Sequence, residues 1–243
     1  MGIRVVEVPL GDDFSLDASR FLDTLRRERP RLVFLAWPNN PTGNLFDPGA
    51  VEAILGACAG RDCHALVVVD EAYVPYSGES FLPRLPECPN LVILRTLSKI
   101  GLAGIRLGIL IANADVVQEV NKVRMPYNVN ALSQAAARVV LAHGDVVAQQ
   151  AAVIVHERER VLAALGAMAG VRAFPSRANF VLVRPQRSGD AVCADLLARG
   201  IVVRNFSRAP GLADCLRVTI GSREENDAFL EALAASVGPG RDT

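Results

Sequence analysis

Three apolar runs constrain this chain more than anything else in it. Each is short enough for a strand, and each is closed by a polar cluster. They are LVFLAWP (32–38) running into NNPTG, ALVVVDEAY (65–73), and LVILRTL (91–97) running into SK. Strands without polar alternation are buried on both faces, and when helices separate them they form a parallel sheet. Helical spacing does separate them. Ala18, Phe21, Leu22 and Leu25 precede the first run. Val51, Ile54, Leu55 and Cys58 follow it, behind Asp47-Pro48 as N-cap and first-turn proline. RVVEVPL (4–10) and LGILIA (107–112) read as two more strands, making five before residue 115.

Beyond residue 115 the texture changes. Residues 115–169 read as mostly helical, with Asp115 and Asp145 as N-caps and one long helix over 146–169. VRAFPSRANFVLVRP (171–185), a helix near 190–199 closed by Gly200, IVVRNF (201–206) and CLRVTIG (215–221) form a smaller α/β unit. Ser222 with Glu225 makes a capping box before a last helix carrying Phe229, Leu230 and Leu233. The tail GPGRDT is expected to fray. The expectation is an α/β chain of two domains. Residues 1–142 carry a mostly parallel sheet, and 143–243 carry a small C-terminal α/β domain that includes the long connecting helix.

Charge and composition exclude several functions. Acidic and basic residues balance at 26 each with no basic run, which argues against nucleic acid as a partner. Uninterrupted apolar runs are strand-sized, far short of a membrane span. The first residues carry no signal-peptide pattern, so a cytoplasmic location is the expectation. Five cysteines without a CxxC pair, and three histidines in no ligand-like spacing, argue against a metal site and for reduced, packed thiols.

Ligands of open parallel sheets bind beyond the carboxyl ends of the strands. The groups there are PNNPTG (38–43), DEAY (70–73) and TLSK (96–99). Asp70-Glu71 alone could be a magnesium-binding strand end, but GxxxxGK[ST] is missing, as is the GxGxxG of a dinucleotide site. By itself it could equally be a solvated acidic pair. PNNPTG alone could be only a turn, with an X-Pro bond open to the cis form. Lys99 is harder to dismiss. Of 26 basic residues, 24 are arginine; only Lys99 and Lys122 are lysine. A buried lysine costs desolvation and needs a chemical reason, the alternative being a side chain that reaches the surface. Gly101, Ala103, Gly104 and Gly108 beside it leave room for a close approach.

Together the three strand ends suggest one chemistry. A lysine amine forms a Schiff base with an aldehyde cofactor, and pyridoxal 5'-phosphate (PLP) then needs an acid at its ring nitrogen. Asp70 suits that role. Tyr73 and Asn40 can hydrogen-bond the ring hydroxyl. Thr96, Ser98 and Arg106 can hold the phosphate, for which a guanidinium offers a planar fork. Arg204 and Arg217, on or beside short strands of the small domain, could bind carboxylate or be ordinary surface charges.

The ordered set PNNPTG, VVVDEAYVPY, RTLSKIGLAGIRLG, RMPYNVNALSQAAA, SRANF and CLRVTIGSREEN resembles the histidinol-phosphate aminotransferases. These are PLP enzymes of the aspartate aminotransferase fold, and the resemblance covers essentially the whole chain. It implies amino transfer between glutamate and imidazole-acetol phosphate. It makes Lys99 the covalent anchor and proton carrier, with Asp70, Tyr73, Asn40, Thr96, Ser98 and Arg106 around the cofactor. Arg204 and Arg217 become the pair for substrate anions, and Asn179 of SRANF a neighbour of the site. It also implies a homodimer. Trp37 departs from the family, whose members often carry a polar residue there. Members also begin well upstream of Met1. A truncated large domain with exposed apolar faces is therefore expected, and an inactive remnant of the fold is the alternative. Other relatives sharing these motifs are phosphothreonine decarboxylases and aromatic amino acid aminotransferases.

Overall fold

A computed structural model describes residues 2–60 and 63–238 of the chain. The part of the tail from 239 onward lies outside the described residues. Two compact units emerge. The first comprises Met1–Trp37, Leu45–Val74 and Glu79–Leu141; the second comprises Pro38–Asn44, Pro75–Gly78 and Ala142–Thr243. The second therefore takes in two short segments that a single cut of the chain leaves with the first.

The first unit starts with helix α1 (Ala18–Glu28), opened by the Asp17 carboxylate accepting the Arg20 N–H. Strand β1 (Leu32–Ala36) follows, then α2 (Pro48–Ala59), which Asp47 caps and Pro48 starts as expected. Next come β2 (Leu66–Asp70), the short α3 (Val74–Ser77), whose residues from Pro75 belong to the second unit, β3 (Leu91–Thr96) and β4 (Gly108–Ala112). Helices α4 (Ala114–Val123) and α5 (Ala131–Ala142) complete the unit. The sheet order is β1-β2-β3-β4, with β1, β2 and β3 parallel and β4 antiparallel to β3. RVVEVPL, read as a strand, joins no strand among the described residues and lies beside α1, where Arg4 meets Glu28 at 2.6 Å. The sheet thus has four strands, because an apolar run becomes a strand only where a neighbour completes its hydrogen bonds.

One face of this sheet is a continuous core. Val33, Leu35, Val67, Val69, Leu91 and Ile93 pack with Leu25 of α1 and Val51, Ile54, Leu55 and Cys58 of α2. Trp37 belongs to this core. Its ring meets Phe81 edge-on at 4.9 Å, and its indole N–H donates to the Glu79 carbonyl at 3.3 Å. Burial pushes the Cys58 thiol up to about 12, which suits a packed, unreactive sulfur. The other face is only partly covered. On β1 the alternate residues Leu32 and Phe34 are 52% and 65% exposed. The expectation of a sheet covered on both faces fails at this edge, whereas that of exposed apolar surface holds.

The second unit opens with α6 (Gly144–Gly166), then β5 (Val171–Phe174), β6 (Phe180–Pro185), α7 (Gly189–Ala198), β7 (Arg204–Asn205), β8 (Leu216–Thr219) and α8 (Arg223–Val237). Its antiparallel sheet runs β5-β6-β8-β7. Val181, Val183, Leu216 and Val218 face Val161 and Leu165 of α6, Val192 and Leu196 of α7, and Phe229 and Leu233 of α8. The predicted Ser222–Glu225 capping box is present. Asp115 and Asp145 do not cap. Asn113 and His143 hold those positions, and both aspartates lie in the first helical turn, where negative charge still favours the helix dipole. No single helix among the described residues is long and apolar enough to cross a membrane.

Candidate active site

In the first unit, the carboxyl edge of the parallel strands gathers six of the predicted residues. Asp70 ends β2, in register with Ala36 of β1 and Leu94 of β3. Its Oδ1 accepts the Ala72 N–H at 3.0 Å, a local turn that fixes the carboxylate just past the strand. Tyr73, three residues on, is buried. The Lys99 Nζ stands 5.3 Å from the centre of its ring, within cation–π range. Lys99 itself is exposed, so desolvation is not what singles it out in this chain.

Lys99 and Arg106 share one excursion between β3 and β4, and its neck is tied. Leu97 N–H donates to the Leu107 carbonyl at 3.2 Å, and the Thr96 hydroxyl donates to the same carbonyl at 3.3 Å. That hydroxyl also accepts the Ser98 N–H at 3.0 Å. The backbone at Arg106 is left-handed, φ 52°, closing a 3-10 turn over Ala103–Ile105. From α5, the Ser133 hydroxyl holds the loop by donating to the Ile105 carbonyl at 2.8 Å, while the Asn130 side chain accepts the Ser133 N–H and so caps α5. The RMPYNVNALSQ stretch thus contributes an anchor for the lysine loop. A Cβ built on Gly101 or Gly104 meets nothing within 4 Å, so open space surrounds them.

The second unit holds the remaining four residues. Asn40 lies in the 38–44 loop and is followed by a cis proline, Pro41. This loop turns on itself through Asn39 N–H to Asn44 C=O (2.9 Å) and Gly43 N–H to Asn39 C=O (2.8 Å). Gly43 has φ +83°, and a Cβ there would lie 2.6 Å from the Ser176 hydroxyl, so only glycine fits. Ser176 also accepts the Ala178 N–H at 3.1 Å, and Asn179 C=O accepts the Ile220 N–H at 2.9 Å, which sets Asn179 at the start of β6.

Arg204 and Arg217, thirteen residues apart in sequence, are directly opposite one another on β7 and β8. Arg217 is stacked. Its guanidinium lies 4.9 Å from the Phe180 ring centre and 5.8 Å from that of Phe206, which Arg204 also approaches at 5.9 Å. One Arg217 Nη1 donates to the Asn40 Oδ1. That leaves the Asn40 amide N–H groups to donate elsewhere. The Arg217 Nε is buried with no hydrogen-bond partner among the described residues. A half-buried, stacked guanidinium with an unmet donor is suited to an anion. The two phenylalanines carry no polar atom; the β6–β8 register brings Phe180 to Arg217, and Phe206 follows Arg204 past the end of β7.

A carboxylate, a phenol, an amine, two hydroxyls and a guanidinium at one strand edge are the donor and acceptor set that PLP requires. The residues present fit the cofactor. Sequence reasoning overlooked Glu71 and Arg95 at the same edge; Glu71 was read only as half of an acidic pair.

The chain belongs to the class I and II aminotransferases, whose family model matches residues 1–233. Within that family it is 49% identical over 239 residues to histidinol-phosphate aminotransferase 1 of Ralstonia nicotianae, covering 98% of this chain and 63% of that protein. Among solved structures it is similar to the histidinol-phosphate aminotransferase of Clostridium acetobutylicum, with TM-score 0.86 and 26% identity over 93% of this chain and 69% of that one. It is similar also to that of Sinorhizobium meliloti, solved in complex with pyridoxal-5'-phosphate, with TM-score 0.83 and 30% identity over 96% of this chain and 64% of the other. The α/β fold is the one these aminotransferases share. The chain spans a little under two thirds of the length of the curated relatives it matches.

Proposed function

We propose that this chain carries the PLP-anchoring and substrate-recognition residues of a histidinol-phosphate aminotransferase. Amino transfer between glutamate and imidazole-acetol phosphate is its reaction, in a cytoplasmic homodimer. The observation that carries the reading is the gathering of Asp70, Tyr73, Thr96, Ser98 and Lys99 at one sheet edge, with Lys99 Nζ over the Tyr73 ring.

When bound, PLP supplies an electron sink for a carbanion at the substrate Cα. Asp70, as a carboxylate, would keep a proton on the ring nitrogen. Tyr73 would donate to the ring hydroxyl oxygen. Thr96, Ser98 and Arg106 would hold the phosphate. Lys99 would be the covalent anchor, and its Nζ, as a neutral amine, would be the group to take a proton from the substrate Cα. Arginine cannot replace it, because a guanidinium stays protonated. In the second unit Arg204 and Arg217 would bind the carboxylate or phosphate of the substrates, and Asn179 would line their approach.

The test is to add PLP to the purified protein and record the visible spectrum. A band lost in Lys99→Ala is expected, with amino transfer from glutamate to imidazole-acetol phosphate. A folded protein without that band overturns the cofactor reading, and carbon dioxide release from phosphothreonine would reassign the substrate.

A further inference from the structure

Glu71 has no part in the chemistry above, yet its side chain is 0% exposed. Its carboxylate is saturated with donors. Arg95 Nε and Nη2 reach Oε2 at 3.0 and 2.8 Å. The Ser80 hydroxyl lies 2.9 Å from each oxygen, and the Phe81 N–H donates to Oε1 at 2.7 Å. Arg95 Nη2 also donates to Ser80 Oγ at 2.9 Å. Arg95 is 29% exposed, so the pair is dry at the carboxylate and open to water only at the guanidinium. Such a pair is held by several charge-assisted hydrogen bonds, and removing either member strands the other's charge.

The place of this pair in the chain is what gives it meaning. Glu71 directly follows Asp70, its N–H donates to the Leu94 carbonyl at 2.8 Å, and its own carbonyl accepts the Val74 N–H at 3.0 Å. It therefore governs the turn that carries both Asp70 and Tyr73. Arg95 directly precedes Thr96 and stands four residues before Lys99 on the neighbouring strand end. The ion pair bridges the two strand ends on which the proposed cofactor residues sit.

We propose that Glu71 and Arg95 form a positioning pair that locks the ends of β2 and β3, so that Asp70 and Lys99 keep a fixed relation and a balanced local charge. The proposal rests on the cofactor reading of Lys99 and Asp70. Asp70, Tyr73, Lys99 and Arg106 are also charged or titratable groups at this edge. None of them changes in the variants below, so any response reports the pair.

The experiment titrates the Lys99-dependent visible band of the PLP-loaded protein in Glu71→Gln, Arg95→Met and the double variant. A stranded Arg95 cation would disfavour a proton on the Lys99 nitrogen, which follows it by four residues, and a stranded Glu71 anion would favour it. Glu71→Gln should therefore lower the midpoint pH of the band and Arg95→Met should raise it, each by about one pH unit. The double variant should return close to wild type, the signature of coupled neighbours. Turnover should fall about 10- to 100-fold in the single variants with KM within about threefold, since positioning acts on the chemical step. Arg95→Lys keeps the charge and should keep the midpoint, which leaves the Arg95 arm decisive if Glu71→Gln does not fold. Midpoints that stay put, or move the same way in both singles, overturn the proposal and leave a purely structural strut. A wild-type protein without the band overturns the cofactor reading, and this proposal falls with it.

Discussion

In the first sheet the polar groups of interest sit at strand ends, whereas in the second they sit on a strand face. Asp70, Thr96 and Lys99 follow apolar stretches of β2 and β3 and are fixed by short turns, the Asp70–Ala72 bond and the Thr96–Ser98 bond. Arg204 and Arg217 lie within β7 and β8 and are fixed by cross-strand register and by the Phe180 and Phe206 rings. The difference follows from sheet type. Parallel strands are apolar along their length, so chemistry must wait for the carboxyl edge. Antiparallel strands alternate, so one face can hold the core while the other holds stacked cations. Coverage differs too. Leu182, on the arginine-bearing face of β6, is fully buried, while Phe34, on the outer face of β1, stands largely in water.

The largest expected effect strikes the strand-end chemistry. Lys99→Ala should cost about 10²- to 10⁴-fold or more in amino transfer, with folding intact by circular dichroism. Residual turnover near wild type would show that the edge of the first sheet is not where the proton moves. Next comes the buried face of the second sheet. Leu182→Ala should lower stability by about 2–5 kcal/mol in urea unfolding, and a change below about 1 kcal/mol would mean that the face is open after all.

Arg217→Met tests whether a strand-face cation binds substrate. A loss of about 1.5–3 kcal/mol, read as raised KM with smaller change in kcat, is the expectation for hydrogen bonds to a charged group. An unchanged KM for both substrates would leave the stacked arginine with a packing role only. A pH experiment probes the helical side of the second unit. Hydrogen bonds from Arg160 and Asn226 hold the Glu157 carboxyl down at about 2, against an ordinary 4.5. A carboxylate lowered in the folded state stabilises above 4.5 and loses that contribution as pH falls from 4.5 towards 2. Glu157→Gln should therefore flatten the melting temperature across that window, and acid limbs that superimpose would argue against it. The smallest effect belongs to the open edge of the first sheet. Phe34→Ser should change stability by no more than about 0.5 kcal/mol, and a larger loss would show that Phe34 is covered in solution.

Much of this was legible along the chain. The apolar runs at 32–38, 65–73 and 91–97 became β1, β2 and β3, and Asp47-Pro48 and Ser222–Glu225 start helices as their chemistry requires. Each of these signals is local: a few neighbouring side chains decide a strand, a cap or a turn. The residue types able to hold an aldehyde cofactor and its phosphate were legible for the same reason, since each cluster directly follows an apolar run. Other features depended on partners far along the chain. RVVEVPL has strand composition but no neighbouring strand among the described residues. LGILIA is a strand whose direction only its partner could set.

The amino-acid order by itself determined where β1, β2, β3 and their flanking helices form, which polar groups close those strands, and that a single lysine stands among arginines at a strand end. Only the tertiary structure decided that Glu71 meets Arg95 across two strands, that Arg217 reaches Asn40 from 177 residues away, and that Arg204 lies opposite it. Composition states what a side chain can do, whereas its partner depends on register and burial. Those arise from the simultaneous packing of the whole chain.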